Sequence, residues 1–308
     1  MYHYCTLFNT NYLTRGIAML ESLAKYATDY QIYVLCFDDT TYQILEQRKI
    51  PHTILITLDS FEDKELLACK PTRSLGEYCW TCTPALIHYC ITHFSLSSCT
   101  YVDADLYFFD NPNILIDEMG NSSISLTKHN YTPQYDQSAT SGIYCVQFMS
   151  FKADTNGLKA LLWWRQKCIE WCFARFEDNK FGDQKYLDDW TTRFEGVYVL
   201  QNARCGIAPW NVQQFPTLRP IFYHFHNLSF VDKDCVDLGN YKLPKLTISD
   251  IYKPYITQLL TLRAQYMPHN FDARKPRAKS WKSPIRYCRR KLRGSYNVFK
   301  LTYFKSEV

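Results

Sequence analysis

Residues 100–112 read TYVDADLYFFDNP and place two carboxylates directly after a short apolar run. Tyr101 and Val102 end a predicted buried strand, and Asp103 and Asp105 follow two residues apart. In an extended segment residues i and i+2 project to the same face, so both carboxylates can reach one point. Two carboxylates at the end of an apolar strand are costly unless they share a cation. Mg²⁺ or Mn²⁺ fits, because these hard ions prefer oxygen ligands.

A solvated turn is the alternative for Asp-x-Asp alone, and the surrounding pattern argues against it. Apolar strands are predicted at residues 2–8, 31–37 and 53–58, and helical spacing follows the first two of them. This alternation predicts an α/β fold with a mostly parallel, doubly wound sheet. Ligands of such sheets bind beyond the carboxyl ends of the strands. The polar residues at such ends are Asn9, Tyr12, Asp38 and Asp103.

Composition indicates a folded protein with an ample core. The chain has 308 residues, of which 46% are hydrophobic. Among its 13 cysteines, Cys79 and Cys82 form a Cys-x-x-Cys pair with no second pair at zinc-finger distance, so the spacing does not predict a structural zinc site. Neither a secretory leader nor a run of about 18 apolar residues is found. We therefore expect a cytoplasmic protein with reduced thiols in its core.

Charge divides the chain after residue 262. Residues 263–308 carry 13 Lys and Arg against two acids, a net +11, whereas residues 1–262 carry 22 against 28, a net −6. The division predicts a globular unit, 1–262, and a basic helical tail, 263–308. Apolar residues such as Trp281 and Ile285 within the tail are typical of a segment that lies on an anionic membrane surface. A solvated tail is one alternative; nucleic-acid binding is disfavoured, because no motif supports it and the remaining chain is acidic.

Two further positions are candidates for ligand contacts. Arg73 follows a basic, polar connection; its guanidinium suits a phosphate or a sugar hydroxyl, and an ordinary surface arginine is the alternative. Gly142 permits close backbone approach or marks a bulge. Between them, residues 78–94 read as a helix with Pro84 in its first turn.

The second half of the chain adds polar candidates. Asp183 and Gln184 open a predicted helix, where they either cap it or face a ligand. Asn211 belongs to a rigid polar turn, APWN. His224 and His226 share one face of a predicted strand, FYHFH, and either imidazole could bind a metal.

Five motifs occur in a recognisable order: YVDADLYFFDNP, SGIYCVQFMSFK, FGDQKYLDDW, APWN and FYHFH. Together they resemble the bacterial GT-A-fold glycosyltransferases of lipopolysaccharide and capsule synthesis, distant relatives of the glycogenin and lipooligosaccharide galactosyltransferase family. The resemblance spans residues 2–227. It implies a Rossmann-like GT-A fold and transfer of a sugar, with retention, from a nucleotide-diphosphate donor, usually a UDP-sugar, to a glycan or glycolipid. It also implies Mn²⁺ or Mg²⁺ held by Asp103, Asp105 and a histidine.

The resemblance assigns further roles. In the relatives the metal histidine is followed by an aromatic residue, a small residue, glycine and Lys-Pro-Trp, which His224 matches best. Asn227 replaces the glycine and no Lys-Pro-Trp follows, so the pyrophosphate lysine is unassigned and His226 stays a candidate. Asp183 and Gln184 are implied to lie beside the donor sugar as catalytic residues. The implied nucleotide-sugar-binding residues are Thr6, Asn9, Tyr12, Asp38, Arg73, Asp103, Ala104, Gly142 and Asn211.

Two other functions remain as alternatives. A nucleotidyltransferase on a related sheet would also use paired aspartates and a metal, but it normally carries a Gly-rich basic loop after the first strand, and FNTNYLTRG is a poor match. A sugar-nucleotide or membrane-surface binding protein would keep the fold without turnover.

Overall fold

The computed structural model describes residues 1–231, 234–266 and 283–304. Its strands are β1 Tyr2–Phe8, β2 Tyr30–Cys36, β3 Thr53–Thr57, β4 Ser98–Val102, β5 Leu106–Phe108, β6 Ile124–Lys128, β7 Tyr144–Lys152, β8 Val197–Val199, β9 Phe222–His224, β10 Ser229–Phe230, β11 Cys235–Asp237 and β12 Val298–Lys300. Its α-helices are α1 Leu13–Tyr26, α2 Asp39–Arg48, α3 Leu58–Phe61, α4 Lys64–Cys69, α5 Leu75–His93, α6 Asn113–Glu118, α7 Ser138–Ser141, α8 Thr155–Glu170, α9 Trp190–Arg193, α10 Lys253–Tyr266 and α11 Ser283–Leu292.

Seven strands form the central sheet in the order β3-β2-β1-β4-β7-β6-β8. Neighbouring strands pair in parallel except at β7, which is antiparallel to both β4 and β6. The strands are nearly continuous apolar runs because helices cover both faces of the sheet. The predicted α/β fold with a mostly parallel sheet is confirmed.

The sheet separates two hydrophobic cores. Successive residues of a strand point to opposite faces, so Tyr4 packs in the core beneath α1 and α10, whereas Cys5 packs in the core beneath α5 and α8. Trp164 of α8 is fully buried in the second core. Both cores reach the edge at which β1, β2 and β4 end, and they fix the backbone there.

Helix α5 begins earlier than the sequence predicts. Ser74 forms a capping box with Glu77, which satisfies free backbone donors of the first turn and starts the helix at Leu75. Pro84 consequently lies in the helix interior, not in the first turn as expected from the sequence. The helix continues through Pro84 because it tolerates the loss of one backbone donor there.

Strand β9 is shorter than predicted. It ends at His224, and His226 lies beyond it in a turn where Asn227 has a positive φ of 63°. Strand β9 pairs with β5, so that Leu106 lies opposite His224, and the backbone N–H of Phe225 donates to the carbonyl oxygen of Asp105 at 3.1 Å. This small antiparallel pair carries His224 to the Asp-x-Asp segment.

The predicted division after residue 262 does not coincide with a break in the structure, because α10 crosses it. Strand β12 pairs with β11, and Phe304 is fully buried in the core beneath α1. Arg290 of α11 donates to both carboxylate oxygens of Asp237 at 2.8 Å. These parts of the predicted tail pack on the globular unit, and Trp281 lies outside the described residues. Within the described ranges, no helix is both long and apolar enough to cross a membrane.

Candidate metal centre and cleft

Three side chains converge where β4 ends. One oxygen of Asp103, one oxygen of Asp105 and one ring nitrogen of His224 lie within 4.8 Å of one another. Nε2 of His224 is 3.2 Å from Oδ1 of Asp105, and the Tyr101 hydroxyl donates to Oδ1 of Asp103 at 3.0 Å. The cluster therefore offers two carboxylates and an imidazole to one ion.

Gln147 of β7 orients the imidazole. Its Oε1 lies 2.8 Å from Nδ1 of His224, and an amide oxygen can only accept, so Nδ1 carries the proton and Nε2 faces Asp105. Gln147 is fully buried in a largely apolar strand. The sequence analysis missed this residue, although a lone amide in the run YCVQFMSF is a signal of a buried polar partner.

Electrostatics in the cluster favour a cation. Burial, opposed by His224 and assisted by the charge of Asp105, raises the pKa of Asp103 to about 6. Burial alone would raise the pKa of Asp105, but His224 outweighs it and holds that pKa below its usual range. Burial alone would lower the pKa of His224, but Asp105 outweighs it and raises that pKa well above its usual value. The cluster thus retains a proton. A divalent ion can replace that proton and supply the positive charge that the buried carboxylates need.

The cluster lies in a cleft of about 690 Å³ at the carboxyl edge of the parallel strands. Nine residues that the sequence singled out line this cleft: Asn9, Tyr12, Asp103, Ala104, Asp105, Asp183, Gln184, His224 and His226. Aromatic residues that the sequence analysis did not select form much of the remaining wall: Trp80, Tyr131, Trp210 and Tyr241. Their positions could not be predicted, because Trp80 lies on α5 and the other three lie on loops far apart in sequence.

Asp183 and Gln184 face the cleft and do not cap the helix that follows. Gln184 precedes the 3₁₀ helix Lys185–Leu187, and its side chain makes no capping hydrogen bond. The carbonyl oxygen of Asp183 accepts from Nε1 of Trp164 at 2.8 Å, which fixes the backbone. Only 6% of Asp183 is exposed; burial, with the charge of Asp103 adding to it, raises its pKa to about 8.

Asp38 and Thr6 lie behind the cleft. Asp38 caps α2 by accepting from the Thr41 N–H at 2.7 Å, and it also accepts from the Thr10 N–H at 2.9 Å. Asp38 therefore holds the loop that contains Asn9 and Tyr12. Thr6 is fully buried within β1.

Three other predicted contacts, Arg73, Gly142 and Asn211, are not among the residues that line the cleft. Arg73 donates to the Ile169 carbonyl at 3.0 Å and lies over the Phe173 ring. Asn211 is buried, and its Nδ2 donates to the carbonyl oxygens of His129 and Gly206. Gly142 has a φ of 103°. In this structure the polar groups of Arg73 and Asn211 bind backbone carbonyl oxygens.

His226 lines the cleft beside the cluster but is not one of its three converging side chains. Its ring centroid is 5.9 Å from that of His224 and 5.4 Å from that of Trp210. Of the two candidate histidines, His224 is the one that the structure brings to Asp103 and Asp105.

Solved structures share this architecture at low sequence identity. A structure of the galactosyltransferase LgtC in complex with donor and acceptor sugar analogues superimposes with a TM-score of 0.55 and 11% identity, covering 84% of this chain and 95% of that one. The glycosyltransferase GlyE of Streptococcus pneumoniae TIGR4 superimposes with a TM-score of 0.50 and 12% identity, covering 91% and 66%. These likenesses establish the GT-A fold and confirm the fold that the resemblance implied.

Two curated proteins are similar in sequence, and no protein-family model matches the chain. YfnD of Bacillus subtilis (strain 168) is 29% identical over 278 residues, which cover 84% of this chain and 88% of that one. YfnF of the same organism is 31% identical over 219 residues, which cover 68% and 72%. Both are described as uncharacterized proteins. On this identity and coverage, the chain is a GT-A-fold member of the family that includes Bacillus subtilis YfnF.

Proposed function

We propose that this protein is a metal-dependent glycosyltransferase. It moves a sugar from a nucleotide-diphosphate donor, a UDP-sugar, to a glycan or glycolipid acceptor with retention of configuration. The observation that carries the proposal is the convergence of Asp103, Asp105 and His224 in a large cleft at the carboxyl edge of the sheet. Ligands of doubly wound sheets bind at this edge.

The donor set fits Mn²⁺ or Mg²⁺. Two carboxylates suit either ion, and an imidazole whose Nδ1 is fixed by Gln147 directs Nε2 to the same point. When bound, such an ion supplies Lewis-acid stabilisation of the charge that develops on a diphosphate leaving group. Asp103 and Asp105 then have an electrostatic role and do not transfer protons. The loop with Asn9 and Tyr12 supplies contacts to the nucleoside.

Asp183 is proposed to act on the donor sugar. Its buried carboxyl faces the cleft near Asp103, and its backbone is held by Trp164. The charge of Asp103 contributes to the raised pKa of Asp183, so a cation bound at Asp103 would lower that pKa and favour the ionised carboxylate. In a retaining reaction this carboxylate stabilises positive charge on the sugar, as glycosidase carboxylates do. In an inverting reaction it would instead take the proton of the acceptor hydroxyl. Gln184 beside it supplies hydrogen bonds to the sugar.

A membrane-facing role is proposed for α11. Ile285 is 59% exposed and Leu292 is 89% exposed on a helix that also carries Arg289 and Lys291. Exposed apolar side chains among cations suit the surface of an anionic bilayer, at which a glycolipid acceptor would be presented. The proposal therefore includes a location in the cytoplasm, on the inner face of the membrane.

Ligand-dependent thermal stability tests the central proposal. The purified chain is melted with UDP, GDP, CMP and their common sugar conjugates, each with and without Mn²⁺, since a ligand that binds only the native state raises the melting temperature. We expect a rise with one nucleotide that depends on Mn²⁺ and that is lost in the Asp103→Asn/Asp105→Asn variant. The Asp189→Asn variant is the control, because Asp189 is an exposed residue paired with Arg193. No shift with any nucleotide would contradict the proposal; a shift without sugar transfer or donor hydrolysis would favour a binding protein.

A further inference from the structure

Three cysteines that are far apart in sequence meet beneath the sheet. Cys5 comes from β1, Cys90 from α5 and Cys99 from β4, and their sulfur atoms lie within 4.8 Å of one another. All three side chains are fully buried free thiols. Four ligands around Zn²⁺ at a Zn–S distance of about 2.3 Å place sulfur atoms roughly 3.8 Å apart, so a small closure of the cluster reaches that geometry.

His3 stands next to this cluster. Strands β1 and β4 are parallel with Tyr4 opposite Thr100, so His3 and Cys99 are neighbours across the two strands. His3 also shares its face of β1 with Cys5, two residues on. Nδ1 of His3 is buried and has no hydrogen-bond partner among the described residues. A buried ring nitrogen without a partner costs free energy, and binding a metal ion would remove that cost.

We propose that Cys5, Cys90 and Cys99 form a buried zinc site that joins α5 to β1 and β4. His3 lies beside Cys99 but is not one of the three converging side chains, so its ring must move towards the sulfur atoms to act as the fourth ligand. Three thiolates and one imidazole are a common ligand set of structural zinc, whereas the carboxylate-rich cluster at Asp103 suits a harder ion. On binding, each thiol releases its proton to solvent, and no oxidant or reductant is required because zinc does not change its oxidation state. The half-buried His3 lies near the start of β1 and is the one proposed ligand that is partly exposed to solvent.

The geometry of the cluster supports this assignment. Three buried sulfur atoms from β1, α5 and β4 lie within 4.8 Å of one another, and His3 is the cross-strand neighbour of Cys99. The alternative is that the cysteines are small core residues, as other cysteines of this chain are. That alternative does not explain why the buried Nδ1 of His3 has no hydrogen-bond partner among the described residues.

Cobalt substitution tests the site in the full-length chain. The parent is the Asp103→Asn/Asp105→Asn variant, which removes the carboxylate ligands of the other centre. The protein is prepared reduced and metal-free, titrated with Co²⁺ and then with Zn²⁺ against a chromophoric chelator. We expect thiolate-to-cobalt charge-transfer absorption, d–d bands of a tetrahedral ion, and one tightly bound Zn²⁺ per chain. Cys99→Ala should abolish all three, while Cys168→Ala, which removes a fully buried thiol of α8 in the same core, should retain them.

His3→Gln keeps the test decisive if Cys99→Ala does not fold. This variant retains the three thiols and should weaken zinc binding by about tenfold or more. Zinc should also raise the melting temperature of the parent more than that of His3→Gln. Absence of the charge-transfer bands in the parent, or equal zinc affinity in the parent and in His3→Gln, would overturn the proposed four-ligand site.

Discussion

Nδ1 of His224 lies 2.8 Å from Oε1 of Gln147, a fully buried amide of the antiparallel strand β7. The hydrogen bond fixes which ring nitrogen carries the proton and holds Nε2 towards Asp105. A residue that never touches the ion can therefore set the affinity of the proposed centre.

Gln147→Leu should weaken Mn²⁺ binding by about 10- to 100-fold, because the imidazole loses its acceptor and its preferred orientation. Calorimetric titration of Mn²⁺ in the presence of UDP measures the effect. Ser150→Ala is the matched control, since Ser150 is a buried polar residue of the same strand whose hydroxyl pairs with Thr100. Equal Mn²⁺ affinities of Gln147→Leu and Ser150→Ala would show that the hydrogen bond to His224 does not matter for binding.

Asp183→Asn should lower the turnover rate and leave the binding of Mn²⁺ and UDP nearly unchanged. Removing this carboxylate should lower the rate of sugar transfer or donor hydrolysis by about 10²- to 10⁴-fold, which is the usual contribution of a positioned acid or base. Binding of Mn²⁺ and UDP should change little, since Asp183 is not one of the three converging side chains. Steady-state rates and the calorimetric affinity are compared with those of Asp189→Asn, an exposed acid outside the cleft. Loss of UDP binding together with turnover would assign Asp183 a structural role.

Lowering the pH should weaken binding of Mn²⁺ at the proposed metal centre. Burial raises the pKa of Asp103 to about 6, and Asp103 must be ionised to bind Mn²⁺. Because the pKa of His224 is raised well above its usual value, binding displaces a proton from this ring across the range tested, and the affinity should fall by about tenfold per pH unit above pH 6. Below pH 6 a second proton must leave Asp103, so the fall should steepen to about a hundredfold per pH unit. Titrations from pH 5 to 7.5 measure the slope; the same Mn²⁺ affinity at both ends would contradict this ligand set.

Part of the candidate centre could be predicted because its residues carry local signals. Asp103 and Asp105 follow an apolar strand, so periodicity selected them, but the sequence left His224 and His226 as alternatives, and only the end of β9 and its pairing with β5 separate the two. Arg73 and Asn211 have the right chemistry, but their partners, Ile169 and His129, are distant in sequence, and only tertiary structure shows how their hydrogen bonds are used.

Gly142→Ala should lower the free energy of unfolding by about 1–3 kcal/mol, because the backbone there has a φ of 103° that residues with a Cβ rarely adopt. The added Cβ would also lie 3.0 Å from Oδ1 of Asp188. Gly76→Ala is the control: no atom lies within 4 Å of its added Cβ, and alanine in a helix should raise stability by up to about 1 kcal/mol. Chemical denaturation measures both, and equal stability of Gly142→Ala and the parent would contradict the strain argument.

Leu292→Asp should weaken binding to vesicles that contain anionic phospholipid without lowering the melting temperature. Leu292 is 89% exposed, so the substitution removes no core contact, but it places a negative charge beside Arg289 and Lys291 on the proposed membrane face. Leu162→Asp on α8, where the leucine is 46% exposed, makes the same change on another helix and should leave vesicle binding unchanged. Co-sedimentation with anionic and with neutral vesicles compares the two variants with the parent. If both variants bind anionic vesicles as the parent does, α11 is not the membrane-facing element, and the acceptor must reach the cleft by another route.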